Sequence, residues 1–153
     1  MIIKPGDTSI VKIISINSDK NLLIKKAVVR KLVSSVQKDL KKKINFIEIN
    51  FVDESTIVKI NSEYLMHNYG TDVISFDYSN ESNSFDGEIF ICWEIAQKNS
   101  KRFNVSLDDE LKRLIIHGML HFSGFDDTTE SLRKIMKQKE DELLEQVMNF
   151  NLL

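Results

Sequence analysis

The period of the apolar pattern changes along this chain. Segments in which apolar and polar residues alternate all lie before Glu94, and from Glu94 onward apolar residues recur only at helical spacing. Strands early and helices mainly late predict an α+β fold, with one mixed sheet of about four strands packed with about five helices. The strand candidates are Val11 to Ile16, Phe46 to Val52, Asp72 to Tyr78 and Gly87 to Trp93. The last two flank a Ser- and Asn-rich loop from Ser79 to Asp86 and read as a hairpin-like pair. A first helix is expected from a cap at Ser18 or Asp19 to about Lys43, with Leu22, Val29, Leu32, Val33, Val36 and Leu40 as its apolar stripe. A second starts at Asp53, carries Ile57, Val58, Ile60 and Tyr64, and is broken by Asn68-Tyr69-Gly70. A third spans Glu94 to Phe103. The fourth is capped by Ser106, runs through Leu111, Ile115, Met119 and Phe122, and stops near Gly124. The fifth is capped by Thr128 or Thr129 and buries Leu132, Ile135, Met136, Leu143, Val147 and Met148.

The 153 residues suit one domain spanning 1–153, with no internal repeat or dividing linker. A hydrophobic share of 42%, with nine Phe and one Trp, fills a core without covalent staples. The lone cysteine, Cys92, excludes an intramolecular disulfide and a Cys-rich zinc ribbon, and reads as a small core residue. No apolar run approaches the roughly 18 residues of a membrane span. Met1 to Asp7 lacks a signal-peptide core. A cytoplasmic chain from a reducing compartment, with no membrane partner, is expected. The net charge of −2 does not advertise nucleic-acid binding, but its distribution is lopsided. Nine Lys/Arg against one acid fall between Lys20 and Lys43, and ten acids against two lysines between Ile44 and Ser100. A solvated helix face and a nucleic-acid footprint both fit that distribution.

The chemistry concentrates in His117-Gly118-Met119-Leu120-His121-Phe122-Ser123-Gly124-Phe125-Asp126-Asp127. Histidines four apart on a helix share a face, within reach of one metal ion. Gly124 permits a sharp return after the helix, and Asp127 completes the pattern H-x-x-x-H-x-x-G-x-x-D. Three protein ligands with an open position describe a catalytic zinc geometry. The spacing is similar to that of zincin peptidases with an extended histidine motif. Those need a Glu directly after the first His as general base, and here that position is Gly118.

The segment resembles a hallmark of the YbeY family of bacterial rRNA maturation factors, H-G-x-L-H-L-x-G-Y-D-H, which reads HGMLHFSGFDD here. A second hallmark, T-D-V-L-S-F, is matched by Thr71-Asp72-Val73-Ile74-Ser75-Phe76, and a third, G-D-I, by Gly87-Glu88-Ile89. The family's Leu-Asn ahead of these is matched by Ile60-Asn61, and the resemblance runs from about Phe46 to Glu142. It implies a zincin-like metal helix and one zinc ion held by His117, His121 and Asp127. It also implies a single-strand-specific endoribonuclease in 16S rRNA 3′-end processing and ribosome quality control, with rRNA and the ribosomal subunit as partners. Three positions depart from the family pattern. Asp127 stands where the family has His, with Asp126 as the alternative register. Leu65 stands where it has Arg, removing a cation that could pair with phosphate, and Gly70 where it has Pro.

No general base is apparent in the motif. Asp126 and Ser75 are candidates for proton handling or for structural support, Asp72 for bracing its strand, and Glu88 for a solvated position. His67, on a loop, is a remote candidate for a fourth ligand. Candidate RNA contacts are Arg30, Lys31, Lys38, Lys41 and Lys42 on the first helix, with Lys101, Arg102, Lys112 and Arg113, and no RNP-like motif is present. Two further readings are a non-catalytic zinc-stabilised ribosome-assembly factor, which Leu65 favours, and a zincin-type metallopeptidase, which Gly118 disfavours.

Overall fold

A computed structural model describes residues 12–80 and 83–153. The element order is β1 (Ile13–Ser18), α1 (Lys26–Leu40), β2 (Lys43–Val52), α2 (Glu54–Leu65), β3 (Val73–Asp77), β4 (Ser84–Cys92), α3 (Trp93–Phe103), α4 (Leu107–Phe122) and α5 (Glu130–Gln146). The sheet order is β1-β2-β4-β3, with β1, β2 and β4 parallel and β3 antiparallel to β4. This is the expected α+β architecture, with one mixed four-stranded sheet and five helices. Parallel neighbours need crossovers, which α1 supplies between β1 and β2, and α2 with β3 between β2 and β4. Among the described residues, no helix is long and apolar enough to cross a membrane.

Caps form where short polar residues precede the helices. Asp53 accepts from the Thr56 N–H (2.9 Å), Ser106 from the Asp109 N–H (3.0 Å) and Thr129 from the Leu132 N–H (3.2 Å). The first helix differs from expectation, because it begins at Lys26 and not after Ser18 or Asp19. Asp19 instead closes a turn, its carboxylate accepting from the Asn21 N–H (2.8 Å) and its carbonyl from the Leu22 N–H (3.0 Å). Leu22 is buried from this loop, and the Lys25 N–H is satisfied by the Leu152 carbonyl at 2.6 Å. A remote part of the chain thus supplies what a cap would. Val11, in the expected first strand, lies outside the described residues. β4 starts earlier than predicted, at Ser84, because it extends alongside Lys43 and Ile44 of β2.

The core lies between the sheet and α4. Ile47, Ile49 and Phe51 of β2 and Phe85, Ile89 and Ile91 of β4 are buried, as are Leu111, Leu114, Ile115, Ile116, Met119 and Leu120 of α4. Helix α4 is apolar on most of its circumference because sheet and helices enclose it. It approaches β4 closely at Gly118, where an added Cβ would lie 2.8 Å from Ile89 Cδ1 and 3.1 Å from two more Ile89 carbons. Gly118→Ala is therefore expected to destabilise the fold by about 1–3 kcal/mol through overpacking. Urea unfolding checks this, and a neutral result would mean that α4 shifts freely on the sheet.

Helix α5 buries Met136, Glu140 and Leu143, and Val147 just past its end is buried with them. Leu132, Ile135 and Met148, predicted for its apolar stripe, are exposed. The stripe that meets α4 is rotated, and it contains a glutamate.

Candidate metal centre

His117 and His121 stand one turn apart near the end of α4, and their Nε2 atoms are 3.1 Å apart. Gly124 (φ +91°) adopts the left-handed conformation that turns the chain back. The Gly124 N–H donates to the His121 carbonyl and the Phe125 N–H to the Leu120 carbonyl, both at 3.1 Å. Asp126 then uses its carboxylate locally, accepting from the Asp127 N–H (2.7 Å), the Thr128 N–H (3.1 Å) and the Thr128 hydroxyl (3.0 Å). The Thr128 hydroxyl, followed by these backbone bonds, holds the Asp126 carboxyl below its ordinary range. This turn presents Asp127, whose Oδ2 lies 3.8 Å from His117 Nε2 and 3.7 Å from His121 Nε2.

The remaining ring nitrogens set the tautomers. His121 Nδ1 lies 3.2 Å from the Phe125 carbonyl, which only accepts, so Nδ1 carries the proton. His117 Nδ1 lies 2.8 Å from Glu140 Oε2 and donates to it. Both Nε2 lone pairs then face one another and the Asp127 carboxylate. Three such donors repel unless a cation sits among them. Donor–metal bonds of about 2.1 Å in a tetrahedral arrangement put donor atoms about 3.4 Å apart, close to the spacing found. The residues fit a divalent metal, and His117, His121 and Asp127 could hold one.

Behind the centre lies a charge network that the sequence did not reveal. Glu140 is almost wholly buried, and its other oxygen meets Arg113 Nη1 at 3.4 Å. Arg113 grips Glu110 with two bonds of 2.6 and 2.9 Å and lies 3.8 Å from Asp72. The Glu110 carboxylate holds the Arg113 guanidinium above its ordinary pKa, against the opposing effect of burial. The signal for Glu140 was its place in the helical series Met136, Glu140, Leu143, Val147. An acid at an apolar position calls for a buried partner.

The other predicted residues scatter. Ser75 and Asp72 line a groove with His117, His121 and Asp127. Asp72 also accepts from Asn99 Nδ2 at 3.2 Å, which braces its strand end. Leu65 stands at this groove and supplies no charge. Arg113, a candidate RNA contact, is held by its acids and also lines a groove with His117 and Asp127. Lys112 is buried, held by Asp108 (3.1 Å), Asp109 (2.9 Å) and the Met148 carbonyl (3.2 Å). Arg30, Lys31 and Lys38 line a separate groove with Gln146 and Phe150, Lys41 is exposed just past α1, and Lys42 donates to the Phe122 carbonyl at 3.3 Å. Lys101 and Arg102 sit at the exposed end of α3. The cations that share a groove with His117 and Asp127 are Arg113, which the sequence named, and Arg133, Lys134 and Lys137 of α5, which it did not; Lys134 pairs with Glu130 and Lys137 with Asp141 on the same wall. The spacing of the α5 cations just after the third donor was the available signal.

Fold and site define an α+β protein with a two-histidine, one-carboxylate centre at the end of a buried helix. A family model described as Endoribonuclease YbeY matches residues 14–148. A relative from Christiangramia forsetii, named Endoribonuclease YbeY, is 46% identical over 101 residues, covering 66% of this chain and 70% of its own. Another of that name, from Bacteroides fragilis, is 38% identical over 121 residues, covering 79% and 86%. The solution structure of TM1509 from Thermotoga maritima is similar, with 26% identity, 90% of both chains covered and a TM-score of 0.63. The chain belongs to the YbeY family.

Proposed function

We propose that this chain is a zinc-dependent endoribonuclease that cuts single-stranded RNA in the cytoplasm. Residues 1–153 act as one domain in 16S rRNA 3′-end maturation and ribosome quality control, with the ribosomal subunit as partner. The observation that carries this reading is the convergence of His117 Nε2, His121 Nε2 and Asp127 Oδ2 where two surface grooves meet. Family membership supplies the reaction class.

His117, His121 and Asp127 hold the zinc in this reading. When bound, zinc supplies Lewis acidity toward a phosphoryl oxygen and lowers the pKa of a water. Glu140 and the Phe125 carbonyl keep both imidazoles in the binding tautomer, so no ring reorients when metal arrives. Asp127 makes the centre one charge less positive than three imidazoles would. Arg133, Lys134 and Lys137 draw the RNA backbone into the groove along α5. Asp126 is engaged in its turn, and Ser75 lines the groove without an assigned proton-transfer role. A peptidase reading loses support, because the position after His117 faces Ile89 and offers a general base no room.

The runner-up is a non-catalytic zinc-stabilised assembly factor, favoured by Leu65 at the groove where the family carries a cation. Incubation of labelled single-stranded RNA with zinc-loaded protein separates the two. Wild type is expected to cleave it, and His117→Ala or chelator to abolish cleavage. Intact RNA after incubation with zinc-stabilised wild type would select the assembly factor.

A further inference from the structure

The two grooves that meet at His117 and Asp127 differ in chemistry. The groove along α5, about 810 Å³, carries Arg113, Arg133, Lys134 and Lys137 interleaved with the acids of the same helix. The groove against β3, about 530 Å³, has no lysine or arginine among the described residues that line it. Away from the two histidines and Asp127, its polar lining is amide, hydroxyl and ring, from Asn61, His67, Tyr69, Thr71 and Ser75, with one carboxylate, Asp72. A groove of this kind does not read phosphate. Its lip is aromatic and uncovered, with Tyr69 60% exposed and its ring 5.1 Å from that of His67.

The lip is also held in place. The backbone leaves α2 through Met66 in the left-handed conformation (φ 57°), and the His67 N–H donates to the Asn61 carbonyl at 3.2 Å. Asn61, only 3% exposed, donates through Nδ2 to the Tyr69 carbonyl at 2.8 Å. Ser62 donates to the Asn68 side chain at 3.1 Å. Gly70 packs so closely on α3 that an added Cβ would lie 2.8 Å from Ile95 Cδ1. An aromatic ring on an anchored loop loses little conformational entropy on binding.

We infer that the β3 groove is a nucleobase subsite, in which the unpaired base next to the scissile phosphate stacks on Tyr69 while α5 carries the backbone. The inference rests on the endoribonuclease reading above and names where that substrate is read. A flat π-face suits every base, so the subsite selects unpaired over paired RNA and not one sequence over another. A duplex cannot turn a base into this groove without unstacking it.

The test is fluorescence anisotropy of zinc-loaded full-length protein with a fluorescein-labelled decamer of 2′-O-methyluridine, checked for integrity on a gel. Tyr69→Ala is expected to weaken binding roughly 5- to 100-fold, the range for loss of one base–aromatic stack. Tyr69→Phe should stay near wild type. An abasic decamer should bind wild type and Tyr69→Ala alike. Tyr69 joins the Asn61 anchor through its backbone carbonyl, and its exposed side chain has a hydrogen bond only to the neighbouring His67 ring, so near-unchanged thermal melts are expected of both variants. Wild-type affinity in Tyr69→Ala, or an equal loss on the abasic strand, would overturn the subsite and leave the nuclease reading standing. Failure of wild type to bind any single strand would instead remove the nuclease reading, and the subsite with it.

Discussion

Asp127→Ala protein is expected to leave purification nearly free of zinc, whereas Asp126→Ala retains it. The two acids are neighbours, and the sequence offered either as third donor. Asp127 Oδ2 faces both imidazole nitrogens, at 3.7 and 3.8 Å, whereas the Asp126 carboxylate accepts three bonds within its own turn. Loss of Asp127 removes one of three donors. That loss should exceed the roughly 10- to 100-fold fall in affinity typical of losing an outer hydrogen-bond partner. Loss of Asp126 only loosens the turn that presents Asp127. Asp127→His, which restores the residue the family hallmark carries, should bind metal again. Elemental mass spectrometry on untagged protein, with His121→Ala as the emptied reference, gives the zinc content of each. Zinc retained by Asp127→Ala and lost by Asp126→Ala would mean that the third donor is misassigned.

Glu140→Ala should produce the second large effect, in stability and metal affinity together. Glu140 is 2% exposed and serves two cationic or donating groups at once, His117 Nδ1 at 2.8 Å and Arg113 Nη1 at 3.4 Å. Removing one member of a buried charged network costs about 3–5 kcal/mol, because the partners stay buried without compensation. The lower end applies here, since Arg113 keeps Glu110. Without the carboxylate, the His117 ring is free to turn and to change tautomer, so zinc affinity should fall about 10- to 100-fold. Glu140→Gln offers one acceptor where two are needed and should fall between alanine and wild type. Urea unfolding of the metal-free protein reads the first effect, and zinc titration against a competing chelator reads the second. A Glu140→Ala variant with wild-type zinc affinity would show that the Phe125 side of the site alone orients the pair.

These residues mark how much of the protein was legible in its sequence. The helix of the two histidines, its Ser106 cap and its Gly124 stop depend on a few consecutive bonds, so spacing alone located them. Strand alternation located β3 and the centre of β2 because side chains on a strand alternate between faces whatever packs on them. The start of α1 differs from the local signal because the loop before it is tied at Lys25 to Leu152, which local propensity does not register. Lys112 looked like a surface cation because charge is legible in a sequence and enclosure is not. Arg30, Lys31 and Lys38 of α1 line a groove apart from His117, whose own groove carries Arg113 of α4 and the cations of α5.

By itself, then, the sequence determined the α+β class, the two histidines on one helix face and a choice between Asp126 and Asp127 beside them, since periodicity and spacing around a helix and its stop are local. The tertiary structure decided that Glu140 meets both His117 and Arg113, and that the site opens on two grooves, of which, among the described residues, only the one along α5 carries arginine and lysine. Those facts depend on how α5 is rotated against α4 and where the loop after α2 is anchored. Packing between segments far apart in the chain sets both, and it leaves only weak local traces.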